Sequence, residues 1–149
     1  MTNAATPAEL AIGDDLKTAI NSALENGLPM LLAYVDEEGQ PSLSFRGSTQ
    51  VLAADQLAAW IRIADGALAH SLEKNPHVTF LYRDPGTRST LQFKGRGRIE
   101  AAEPLRSQVY ESSPKREQDA DPEKKGTALV VDLDLVIGTF AGSRILMKR

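Results

Sequence analysis

Two neighbouring segments, His77 to Arg83 (HVTFLYR) and Ser89 to Glu100 (STLQFKGRGRIE), alternate apolar and polar residues and are joined by Asp84-Pro85-Gly86-Thr87. A period of two belongs to a strand with one buried face, and Asp-Pro-Gly is turn chemistry. The pair therefore predicts an antiparallel hairpin whose second arm is unusually long. Val78, Phe80 and Tyr82 stand opposite Thr79 and Leu81, while Leu91, Phe93 and Ile99 share a face opposite Gln92, Lys94, Arg96 and Arg98. Gly95 and Gly97 fall on the apolar parity, which predicts a bulge, a barrel corner or a closely approaching ligand.

More strands surround this hairpin. Leu28 to Tyr34 reads as a buried strand, returned by Asp36-Glu37-Glu38-Gly39 into Gln40 to Phe45. Val51 to Ala53, Leu57 to Ile63 and Thr127 to Ile137 follow, the last alternating Leu129, Val131, Leu133 and Leu135 with Val130, Asp132 and Asp134. Thr6-Pro7-Ala8-Glu9 has the form of a capping box, so a helix is expected over about 7–26, with Gly13-Asp14-Asp15 offering a second start and Gly27 a stop. Short helices are expected at Ala67 to Lys74 and Pro104 to Tyr110. Glu111 to Gly126 is polar and charged and predicts a surface loop, and Met147 to Arg149 a tail. Six or seven consecutive strands with short helices predict a mainly β chain folded as an antiparallel barrel. The 149 residues fit a single domain, 1–149.

Composition removes several function classes. The absence of cysteine excludes disulfides, thiolate catalysis and cysteine metal sites. A net charge of −3 argues against a nucleic-acid partner. The basic stretch Lys94, Arg96 and Arg98, with Arg83 and Arg88 nearby, lacks interleaved aromatics for base stacking and reads as a solvated sheet face or dimer rim. Asp132 and Asp134 are its expected ion-pair partners. His70 and His77 lie in no ligand-spaced cluster, so no metal site is expected, and no Ser-His-Asp pattern is present. No apolar run approaches the roughly 20 residues a membrane helix needs. The first residues carry no secretory pattern, so a cytoplasmic location is expected.

The candidate site is built from two short stretches. Arg46-Gly47-Ser48-Thr49 ends one strand, and Trp60-Ile61-Arg62 lies near the end of another. Guanidinium forks match phosphate oxygens bidentately, the two hydroxyls add neutral donors, and Gly47 lets the backbone come close. Such a set can hold a phosphate.

The order of RGS, LAAWIR, GALAHSLEKNPHVTFLYR and LQFKGRGRI resembles the pyridoxamine 5′-phosphate oxidase-like family over roughly Leu16 to Val136. The resemblance implies a flavin-binding split β-barrel, a homodimer with FMN at the interface, and flavin-dependent oxidoreductase activity on a small-molecule substrate. It implies that Arg46 holds the flavin phosphate, with Gly47, Ser48 and Thr49 as the added neutral donors, that Trp60, Ile61 and Arg62 lie along the cofactor, and that Gln92 stands near its ring; a group stabilising the anionic reduced ring would come from Arg62, Gln92 or Lys94. The oxidases carry a lysine where this chain has Val51, and an Arg-Lys pair where it has Ala67 and Leu68. With those cations replaced and the residues for vitamin B6 substrates unmatched, the resemblance does not imply pyridoxamine phosphate oxidation. The alternative it leaves is a non-catalytic dimer that binds deazaflavin or heme, or no cofactor. The catalytic residues and the substrate stay unassigned.

Overall fold

The computed structural model describes residues 6–149, so the extreme start of the segment inspected for a leader lies outside the described residues. In chain order the elements are β1 (Ala8–Glu9), α1 (Asp14–Asn21), β2 (Met30–Val35), β3 (Pro41–Arg46), β4 (Gln50–Ala53), β5 (Gln56–Ile61), α2 (Ala67–Lys74), β6 (His77–Asp84), β7 (Ser89–Glu100), α3 (Leu105–Ser112), α4 (Lys115–Asp119), β8 (Thr127–Phe140) and β9 (Ser143–Lys148).

The long hairpin arm β7 pairs with β6 on one side and with β8 on the other. β8 is the spine. One of its edges follows β7 from Ala128 to Thr139; its other edge is divided, Thr127 to Asp132 pairing with β5 and Leu135 to Phe140 with β9. The sheet therefore branches. One path runs β4-β5-β8-β7-β6-β2-β3 and the other leaves through β9 to β1. Among the described residues the ladder does not close: β3 pairs only with β2, and β4 only with β5. This is a split barrel.

Alternation along the strands places the core. Leu32, Phe80, Leu91, Phe93, Leu133 and Val136 are fully buried between the sheet's curved walls, with α1 contributing Leu16 and Ile20 and α2 contributing Leu68 and Leu72. Each such side chain adds about 1.5–3 kcal/mol on leaving water. A second, smaller core lies across β5, where Ala58 and Trp60 meet Val109 and Tyr110 of α3 and Ala128 of β8.

Several expectations are corrected. The expected helix over 7–26 shrinks to Asp14–Asn21: Ala8 and Glu9 instead pair in parallel with Met147 and Lys148, a tertiary ladder that overrides the local capping pattern. Gly13 occupies the N-cap. The expected tail at Met147 is the end of β9. It returns through Ala141 and Gly142, both at positive φ (50° and 80°), a two-residue turn that matches strand twist. With β1 and β9 the strand count rises from six or seven to nine among the described residues, and one pairing is parallel. The expected surface loop over 111–126 contains the last turn of α3, the short α4 and a buried carboxylate, Asp121.

Gly95 sits where the register between β7 and β8 slips by one residue: Lys94 pairs with Leu135 and Gly95 with Leu133. A side chain there would run into the Asp132 carbonyl and come within 3.0 Å of Leu133 Cα. Of the three readings open for this glycine, the bulge is present. Gly95→Ala is expected to lower unfolding stability by about 1–3 kcal/mol, the usual cost of overpacking, read as a shifted urea midpoint with an unchanged slope.

Candidate anion cleft

The turn between β3 and β4 fixes the first half of the site. Arg46 closes the β3 ladder opposite Met30, and its carbonyl accepts bonds from the Thr49 amide (3.2 Å) and hydroxyl (2.7 Å). Ser48, only 1% exposed, donates its hydroxyl to the Trp60 carbonyl (3.0 Å) and accepts from the Trp60 amide (2.7 Å). Both hydroxyls expected near a phosphate are thus engaged by the chain itself, Ser48 binding this corner to β5 and Thr49 closing the turn on Arg46. Gly47 packs against the side-chain ends of Glu117 of α4 and Leu24, which would have to shift to admit a Cβ.

Arg46 and Arg62 come together. With Tyr34, Ile61, Ile63, Gly66, Ala67 and Leu68 they line a cleft of about 370 Å³ between the end of β5, the β2–β3 pair and the start of α2. Among the described residues Arg46 Nε is buried without a hydrogen-bond partner. Burial pushes its guanidinium below the ordinary arginine value, and the like charge of Arg62 adds to the depression against opposing contributions from Tyr34 and Glu117. Gly66 caps α2, and no side chain bonds to the free amides of the first turn. An orphaned guanidinium nitrogen, a second cation and an uncapped helix start all favour an anion at this cleft. Ala67 and Leu68, where the oxidases carry cations, line it; Val51 packs on the main core and does not.

Trp60 faces away from the cleft. Its ring meets Tyr110 edge-on (centroids 5.0 Å apart, planes at 73°), the Arg106 guanidinium lies 5.1 Å from its centroid, and its indole nitrogen donates to Asp121 Oδ2 (2.9 Å). Asp121, 8% exposed, also accepts from the amides of Lys125 (3.0 Å) and Gly126 (2.9 Å). Burial pushes its carboxyl up, but these donors and nearby Arg106 outweigh burial and hold it below the usual aspartate value. Sequence reasoning missed this residue. The signal was indirect: a tryptophan inside an apolar strand needs a partner for its N–H.

Gln92 and Lys94 do not line the cleft. Both lie on the outward face of β7, where Lys94 borders a separate hollow of about 320 Å³ with Ala33, His77, Thr79 and Asp134. The expected pairing of basic and acidic strands is present: Arg96 binds Asp134 through two contacts of 3.1 Å, and Arg98 binds Asp132. His70 contacts Asp65 at 2.8 Å. Among the described residues no group of three or more His, Cys, Asp or Glu side chains is gathered to hold a metal ion, and no helix is long and apolar enough to cross a membrane.

No protein-family model and no curated protein matches this sequence. Solved structures do match in fold. HupZ of Group A Streptococcus superposes with a TM-score of 0.67 at 17% identity, covering 89% of this chain and 98% of its own. A Clostridium acetobutylicum protein related to general stress protein 26 of B. subtilis, of the pyridoxinephosphate oxidase family, gives 0.65 at 15% identity over 92% and 96%. A pyridoxamine 5′-phosphate oxidase-related, FMN binding protein of Nostoc punctiforme gives 0.62 at 16% identity over 81% and 78%. In architecture this chain is a split barrel of the pyridoxamine 5′-phosphate oxidase-like fold.

Proposed function

We propose that this chain is a homodimeric FMN-binding protein that acts as an oxidoreductase on a small molecule other than pyridoxamine phosphate. The observation that carries the reading is the convergence of Arg46 and Arg62 with the uncapped start of α2 on one cleft. A phosphate dianion there gives the buried Arg46 Nε an acceptor and relieves the repulsion between two like charges. The cleft thus fits the phosphate end of a flavin, and a protein of this fold carries the description FMN binding. When bound, FMN supplies hydride transfer at its isoalloxazine ring. The chain's part is to hold the phosphate with Arg46 and Arg62 and to wall the cofactor with Ile61, Tyr34 and Leu68.

The outward face of the sheet supports the dimer. Phe45, Leu31, Leu81, Gln92, Ile137 and Leu146 stand side by side across β3, β2, β6, β7, β8 and β9, a row with one polar member. Leu43 and Phe45 are 69% and 67% exposed at its edge. Apolar surface of this kind marks an association site. In this reading Gln92 and Lys94, absent from the cleft of their own protomer, act from the second copy.

FMN titrated into the purified protein is expected to show quenched flavin fluorescence and a structured visible band. Replacing both Arg46 and Arg62 with alanine is expected to weaken that binding at least about tenfold, a loss of ~1.4 kcal/mol or more, without unfolding the chain. Unchanged affinity in the double variant would remove the arginine pair from the site. A wild-type protein that ignores FMN, yet binds deazaflavin or heme, would favour the non-catalytic alternative. Sedimentation velocity is expected to give a dimer for the wild type and a monomer when Leu43 and Phe45 are both changed to aspartate.

A further inference from the structure

The two arginines of the cleft are not held alike. Arg46 is fixed by the β3 ladder and by the two bonds its carbonyl accepts from Thr49. Arg62 lies one residue beyond the β5 ladder, whose last pair is Ile61 with Thr127. What stands against its backbone is Gly126. A Cβ on Gly126 would run into the Ile61 carbonyl and come within 2.8 Å of Trp60 Nε1 and 3.0 Å of Arg62 Cα, so the bare main chain of Gly126 is wedged on the Ile61–Arg62 peptide.

Asp121 holds that wedge in place. Its Oδ2 binds the Gly126 amide and the Trp60 indole at once, both at 2.9 Å, and its Oδ1 binds the Lys125 amide at 3.0 Å. One carboxylate therefore ties the 121–126 turn to the strand that leads into Arg62. Arg106 fastens the same turn from outside by donating to the carbonyls of Gly126 (3.2 Å) and Lys124.

We infer that Asp121 is a positioning residue for the anion cleft: through Gly126 and Trp60 it sets where Arg62 stands relative to Arg46. This rests on the reading of the cleft as a flavin-phosphate site. Among the described residues the Asp121 carboxylate makes no hydrogen bond to a side chain lining the cleft; it reaches the site through Gly126 and Trp60, so its removal is expected to act on the ligand by way of the Ile61–Arg62 peptide.

The test is a double-mutant cycle on FMN affinity, read by fluorescence quenching, with the Arg62 backbone amide and Nε–H followed by NMR in the ligand-free protein. Asp121→Asn is expected to weaken FMN binding about fivefold and to move both Arg62 signals. In an Arg62→Ala background the same change is expected to alter affinity less than about twofold, because coupled residues do not add. Gly126→Ala, which disturbs the wedge directly, serves as a second variant and is expected to move the same Arg62 signals. Equal weakening by Asp121→Asn in both backgrounds, or unmoved Arg62 signals in both variants, overturns the positioning role while leaving the cleft reading intact. An Arg62→Ala protein that binds FMN as tightly as the wild type overturns the cleft reading, and the positioning role with it.

Discussion

A strand has two edges, and β8 divides one of its own between β5 and β9. That division governs the molecule. It forces the sheet to branch near Leu133 and Asp134, where the Gly95 bulge absorbs the extra residue. It also sets β5 apart from the β9 arm: Gln56 pairs with Asp132 beside the branch, and Ile61 pairs with Thr127 at the far end. The cleft with Arg46 and Arg62 lies at the Ile61 end of the six-residue β5, away from Gln56 at the branch.

The two cores follow from the same branching. On one side of β5, Leu57, Ala59 and Ile61 join the main core; on the other, Ala58 and Trp60 meet α3. A strand buried on both faces shows no polar alternation, and β5 reads as a continuous apolar run for that reason. Its polar needs are met by side chains from far along the chain. Ser48 bonds both main-chain groups of Trp60, and Asp121 bonds its indole.

Much of the fold was legible because its strands obey local rules. The β6–β7 hairpin could be read from alternation and Asp-Pro-Gly, and α2 from Gly66 and Asn75-Pro76, since short-range chemistry decides them. β1 was not legible: Ala8 and Glu9 are strand only because Met147 and Lys148 lie beside them. β9 was not legible either: its turn holds Ala141 at positive φ, where alanine is rarely found, so Ala141-Gly142 lacks the usual Asn-Gly or Asp-Gly signature. At the site, Arg46 and Arg62 could be read as strand-end arginines, but β3 and β5 do not pair with each other, and it is the folding of the sheet that brings the two to one cleft. The roles of Ser48, Thr49 and Trp60 were not readable, because hydroxyl and indole groups serve a ligand or a backbone equally well. Only the packing around them decides which partner they meet, and here each meets the chain itself.

The chain holds one tryptophan, and it lies in the minor core beside a charged carboxylate and a guanidinium. Its intrinsic emission is therefore a local gauge. It reports on the contact between β5, α3 and the 121–126 turn, and the main core of Phe80 and Phe93 contributes no indole of its own. If α3 and that turn loosen before the barrel does, the emission will change while the far-ultraviolet signal of the sheet persists. The protein thus carries a built-in optical probe on the segment that buttresses Arg62.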